Sequence, residues 1–298
     1  MRILAGGLYA AASVVLAAVA AWPIYRSGAF VVLVAAASVL GAGIAAAATW
    51  RRWSGWAAAG LAVAVFFVVG VPLAVPSRLG GPSDLLQGLG ELATGAVLGW
   101  KDLLTVELPV GSYRNLLVPA LVIFLVGTTC LLLFAWRTDV YAVCAVPVAI
   151  AMAAFGLLFG RPAVSAPIAI GPWTLDAPAE TAVGAGTLLA GVLWLAWRSR
   201  DQRVRALRRA ADTSGVHMPR RTASAVSAAD VRRGALGAGM VAVAAIAALA
   251  VPAAAVPTER SVLRAATGPG WSCRRRSARS PPTGACSPTT SSSRRCSR

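Results

Sequence analysis

Hydrophobic positions gather into seven long runs: Ile3–Tyr25, Ala29–Thr49, Trp56–Val75, Leu116–Trp136, Val140–Phe159, Thr181–Trp197 and Ala235–Val256. None of the seven contains Asp, Glu, Lys, Arg or His. Each approaches the roughly 20 residues that a helix rising about 1.5 Å per residue needs to cross the hydrocarbon core of a bilayer. The pattern predicts an all-α, polytopic membrane helix bundle of about seven transmembrane helices over residues 1–256. The first run, preceded by Arg2 and holding Ala18-Val19-Ala20, also fits a signal peptide loosely. It is longer than a usual signal core of about 7–15 apolar residues, which favours a retained helix.

Polar positions mark the connections. The first three spans are joined by short links around Arg26 and Arg51-Arg52. The segment 82–113 breaks the apolar pattern differently. Leu85, Leu89, Leu92 and Ala96 recur at helical spacing behind a polar start, Pro82-Ser83-Asp84, predicting an amphipathic helix. Such a helix lies on the outer leaflet or caps the bundle, and the spacing alone allows either. Arg137-Thr138-Asp139 makes a tight hairpin, and Pro147 predicts a kink in the fifth span. The link Arg161–Glu180 is proline-rich and holds an apolar extended segment, Pro167–Gly171. Gly156, Gly160, Gly184, Gly186 and Gly191 would allow close helix contact.

Charge changes the picture by its placement. The chain carries a net +17 and only 13% charged residues, whereas a soluble domain has about 25%. With the N-terminus inside, fourteen arginines fall on the cytoplasmic side: Arg2, Arg51, Arg52, Arg137 and ten in the loop 198–233, among them Arg198, Arg200, Arg203, Arg205, Arg208 and Arg209. Only five basic residues fall in the outer loops. This bias predicts N-terminus in and C-terminus out. The positive charge therefore reads as an orientation signal facing the bilayer and its anionic lipid headgroups, not as a nucleic-acid surface. Trp22, Trp50, Trp53, Trp56, Trp136, Trp194 and Trp197 all fall at span ends, where amphipathic rings gather as an interfacial belt.

Candidate chemistry is sparse. The one histidine, His217, has no Cys, His or carboxylate pair near it at metal spacing. Cys130 and Cys144 lie within spans and read as small hydrophobes, a disulfide between them being left open. Metalloprotease, nucleophile-elbow and phosphate-loop sequences are missing. No cofactor, metal site or catalytic residue is expected. A transporter normally shows ionisable residues or broken helices at the midplane, and here only Pro147 and a few Ser and Thr interrupt the spans.

Trp100-Lys101-Asp102-Leu103-Leu104-Thr105, then Leu108-Pro109-Val110-Gly111-Ser112-Tyr113 and a span, resembles the membrane region of bacterial transglutaminase-like membrane proteins. So does the layout of N-terminal helices, an Arg-rich inner loop and a last helix running into Pro252–Thr267. The resemblance covers about residues 1–267 and implies a multi-pass protein of the bacterial cell membrane. In that family a papain-like extracytoplasmic domain with a Cys-His-Asp site follows. Here Gly268–Arg298 holds seven Arg, eight Ser, four Pro and three Cys, with no Leu, Ile, Val or acidic residue. Such a stretch cannot bury a core. It reads either as a disordered basic tail or as a GC-rich frame translated out of register, the composition favouring the second. Cys273, Cys286 and Cys296 then carry no designed role, and the family's catalytic residues have no matching positions. The expected function is a non-enzymatic membrane anchor and scaffold region, truncated before its catalytic domain, with residues 257–298 as a disordered or frameshifted tail. The alternative is a small-molecule or lipid permease.

Overall fold

The computed structural model describes residues 2–74, 82–106, 108–111, 116–137, 141–160, 165–166, 168–170, 173–175 and 177–213. These form an all-α bundle of seven helices: α1 (Arg2–Tyr25), α2 (Gly28–Trp50), α3 (Gly55–Ala74), α4 (Pro82–Thr105), α5 (Val118–Arg137), α6 (Ala145–Phe159) and α7 (Pro178–Thr213). Six are long and apolar enough to cross a membrane when α6 is taken with the 3-10 turn Tyr141–Cys144 before it. They coincide with the first six apolar runs. The seventh run, Ala235–Val256, lies outside the described residues, as do His217 and the tail 257–298.

The spans alternate in direction. Helices α1, α3 and α6 rise from a near end, where α1 begins, to a far end; α2, α5 and α7 return. Tight caps make the reversals. Arg26 (φ 43°) ends α1 in the left-handed region, and Ser27 accepts a hydrogen bond from Phe30 N at 3.3 Å to start α2. Arg52 (φ 52°) and Ser54, which accepts from Ala57 N at 3.2 Å, repeat the device between α2 and α3. Serine at the N-cap satisfies an amide that the helix itself leaves unpaired.

Helix α5 is the hub. It packs against α1, α2, α3, α4 and α6 and is the most deeply buried of the six spans, whereas α3 and α7 lie at the edge. Lipid tails are as apolar as side chains, so helices in a membrane associate by close packing rather than by hydrophobic exclusion. Small residues supply that closeness. Gly41 of α2 sits where a Cβ would meet the Leu125 carbonyl of α5 at 3.0 Å. Two inward-facing threonines satisfy their hydroxyls within their own helix: Thr129 donates to the Leu125 carbonyl and Thr187 to that of Val183. Cys130 and Cys144 are both free thiols, which answers the question of a disulfide between them.

Pro147 is the third residue of α6. In a first turn its missing N–H removes no helical hydrogen bond, and a 3-10 turn, Tyr141–Cys144, runs directly ahead of the helix. Pro23 and Pro72 instead sit inside α1 and α3, near their ends. The extended segment expected at Pro167–Gly171 is half of an antiparallel hairpin, β1 (Ile168–Ile170) with β2 (Trp173–Leu175), in the register Ile168 with Leu175 and Ile170 with Trp173.

Helix α4 is the amphipathic element. Its contacts with α3, α5 and α6 fall in the outermost turns of those spans. Leu92 meets Gly70 of α3 and Leu121 lies beside the same contact; Gly99 faces Pro119 of α5. Trp100 packs edge-on against Phe155 at 5.8 Å and tilted on Phe159 at 5.8 Å. The helix thus lies across the far ends of α3, α5 and α6. The chain then returns to α1: Val110 N donates to the Ile24 carbonyl at 2.8 Å and Gly111 N to the Tyr25 carbonyl at 3.1 Å. These are carbonyls that the last turn of α1 leaves without helical partners.

Candidate functional site: the basic end of the bundle

The near end collects most of the described arginines. Arg2, Arg51, Arg52, Arg137, Arg198, Arg200, Arg203 and Arg205 belong to it, with Asp201 the one acidic residue among the described side chains there. Two constructions tie some of these groups into the bundle.

Helix α5 ends in a two-pronged clamp. The Trp136 indole Nε1 donates to the Ile3 carbonyl at the start of α1, at 3.0 Å. The neighbouring Arg137 guanidinium donates to the Trp53 carbonyl in the α2–α3 turn. One dipeptide therefore fixes three helices at the same level. Trp136 also lies against Gly6, where a Cβ would stand 2.8 Å from the ring.

The second construction is on α7. Trp194 is 4% exposed and stacks on Tyr9 of α1, with ring centroids 5.2 Å apart and planes 4° apart. Trp197 stacks on Trp194 at 5.5 Å. One turn beyond Trp194, Arg198 is 3% exposed, its guanidinium carbon 5.9 Å from the Trp194 ring centre. A cation over a Trp face is stabilised by the ring quadrupole. Arg205, half-buried, pairs with Asp201 one turn earlier, a geometry that supports a helix by a few tenths of a kcal/mol, about 0.3–0.5. Arg200 and Arg203 are exposed. Arg208 and Arg209 lie on the helical backbone of α7, outside the described side chains.

The tryptophans divide. Trp50 and Trp56 stand out from the bundle at 86% and 89% exposure, and Trp22 at the far end is also exposed. Trp53, Trp136 and Trp197 are half-buried. Trp194 is a packed residue joining α7 to α1, and its place in the belt is therefore different in kind from that of Trp50 or Trp56. Tyr9, the partner of Trp194, is not marked out by the sequence; a Tyr inside an Ala-rich run carries no sign of what it faces. At the far end, Tyr25, Phe30 and Phe124 form a second aromatic stack, Tyr25 on Phe30 at 4.7 Å and Phe124 edge-on at 5.9 Å.

Among the described residues no group of three or more His, Cys, Asp or Glu converges at metal-binding distance. The arrangement at the basic end can hold helices together and attract anions, and its described side chains contain no acid–base pair poised for catalysis. No family model, curated protein or solved structure matches the chain.

Proposed function

We propose that this bundle is the membrane anchor and scaffold region of a transglutaminase-like protein of the bacterial cell membrane. It sits with its basic end in the cytoplasm and has no catalytic activity of its own. The observation that carries the reading is the far-end strap. The residues that resemble the family, Trp100–Thr105 and Leu108–Gly111, are built into the bundle through the Trp100 ring and the two hydrogen bonds onto α1. A motif spent on closing the outer face of a helix bundle suits a platform better than a transport path. The hub helix α5 offers lipid-like packing with no charged residue before Arg137, which also favours a scaffold.

The orientation follows from the same distribution. Arginines on short loops are retained on the cytoplasmic side, where each basic residue near an anionic leaflet gains on the order of 1 kcal/mol. The exposed Arg200 and Arg203, following Trp194 and Trp197 on α7, would meet those headgroups. The test of the family reading is the coding DNA beyond codon 267, translated in every frame. An open frame with a Cys and later a His and an Asp in a papain-like domain supports it. A stop in all frames soon after that codon sinks it.

A further inference from the structure

Helix α4 carries more apolar surface than the bundle covers. Its buried stripe is Gly88, Leu92, Gly95, Gly99 and Leu103, spaced as one face of a helix. Beside that stripe run Leu89, Ala96 and Trp100, half-buried. Beyond them, on the same flank, lie Leu86, Gly90, Ala93 and Val97, all exposed, Leu86 at 71% and Val97 at 74%. The polar residues Gln87, Glu91, Thr94, Lys101, Asp102 and Thr105 occupy the remaining side, with Leu98 the single large apolar residue among them. The apolar arc is therefore continuous, from a face seated on the bundle to a face seated on nothing within the described chain. A Cβ at Gly90 would find open space.

We infer that the Leu86–Ala93–Val97 flank of α4 rests on the acyl chains of the outer leaflet, so that α4 is an interfacial helix lying half on the bundle and half on lipid. Three observations select lipid as the occupant. First, α4 meets the last turns of α3 and α6 and the first turn of α5, which places the helix at the level where the spans leave the hydrocarbon. Second, the exposed flank continues an established apolar interface without a polar break. Third, the polar residues are confined to the opposite side, as in helices that lie in the plane of a membrane surface. A docked soluble domain would more naturally meet the polar side, which faces away from both bundle and bilayer. The inference rests on the membrane-embedded bundle, with the choice of leaflet resting on the proposed orientation, and is independent of the transglutaminase-like reading. Its failure leaves that reading standing.

The test uses the full chain with its cysteines replaced by alanine, reconstituted in vesicles of phosphatidylethanolamine and phosphatidylglycerol. Single cysteines are introduced by L86C, V97C, T94C and K101C and spin-labelled. Collision rates with oxygen, which concentrates in acyl chains, are compared with those of a water-soluble nickel chelate. The oxygen-to-nickel ratio at 86 and 97 is expected to be severalfold above that at 94 and 101. It should approach the ratio at V68C, a lipid-facing position of α3 that is 75% exposed. Ratios at 86 and 97 no higher than at 94 and 101 overturn the inference. So do low collision rates with both reagents, which would mean a covering protein or second copy. A93C, on the same flank, replaces either apolar label that disturbs thermal unfolding of the chain.

Discussion

Gly156 of α6 lies so close to Ala20 of α1 that a Cβ on the glycine would stand 2.4 Å from the Ala20 carbonyl carbon, and equally close to the Ala21 nitrogen. The obstacle is backbone in a helix interior, which cannot swing aside. Gly156→Ala is therefore expected to push α1 and α6 apart and to cost on the order of 1–3 kcal/mol, as overpacking of a close contact does. Gly184→Ala, on an α7 face with nothing within 4 Å of the new Cβ, should leave stability unchanged or slightly raised by the helix preference of alanine. Thermal unfolding of both variants in the same detergent separates the two. Equal midpoints would refute the close approach.

The same pair shows where sequence reading reaches its limit. Gly156 and Gly184 stand in equally apolar, small-residue surroundings, and only the neighbouring helix tells them apart. The six described spans are legible because an uncharged run of bilayer length has few other uses. The amphipathic segment is legible as a helix, but its choice between bundle and leaflet is not, because both partners are apolar. Trp50 and Trp194 both end an apolar run, yet one is exposed and the other stacked on Tyr9. Periodicity cannot distinguish an aromatic ring that meets lipid from one that meets another helix. The hub position of α5 and the clamp from Trp136 to Ile3 depend on residues more than a hundred positions apart, and no local pattern encodes such a pairing.

Trp136→Phe tests the clamp. The ring that packs on Gly6 is kept, and the indole N–H to the Ile3 carbonyl is lost. A single hydrogen bond contributes about 0.5–1.5 kcal/mol net, and a loss within that range is expected, with faster amide exchange at the start of α1. Trp50→Phe, at a residue 86% exposed, should change neither. If the two variants unfold alike, the clamp contributes nothing measurable.

Ser165 caps α7 from outside the helix. Its hydroxyl accepts from Ala179 N at 3.1 Å and donates to Glu180 Oε2 at 2.6 Å. This is the logic of a capping box, in which a hydroxyl and an acidic side chain satisfy a helix start together, but with the serine supplied by the preceding link. Glu180 also complements the positive end of the helix dipole. Ser165→Ala should cost about 1 kcal/mol and raise hydrogen exchange at the Ala179 and Thr181 amides, leaving the middle of α7 unchanged. Unaltered exchange at those amides would count against the cap.

The Tyr25 hydroxyl has the opposite character. The side chain is fully buried against Phe30, and its oxygen has no hydrogen-bond partner among the described residues. A buried polar atom left unpaired carries a desolvation penalty of about 1–3 kcal/mol. Tyr25→Phe keeps the stacked ring and removes that atom, so stability should hold or rise. A clear drop in the unfolding midpoint would mean that the hydroxyl has a partner in the membrane, such as a lipid headgroup or a trapped water.

Orientation is open to a direct measurement. Arg52 and Arg137 lie at the same end of the bundle, joined through the Arg137 guanidinium and the Trp53 carbonyl, whereas Gly111 is tied to the opposite end at the Tyr25 carbonyl. Any placement in a bilayer must therefore put residues 52 and 137 on one side and residue 111 on the other. The arginine bias predicts that the first two face the cytoplasm. Green fluorescent protein, which matures inside the cell, should fluoresce when fused after Arg52 or Arg137 and stay dark after Gly111. Alkaline phosphatase, which folds with its disulfides outside, should give the reverse pattern. A consistent inversion at all three sites would keep the fold and reject the orientation. Mixed signals from Arg52 and Arg137 would reject the clamp that places them together.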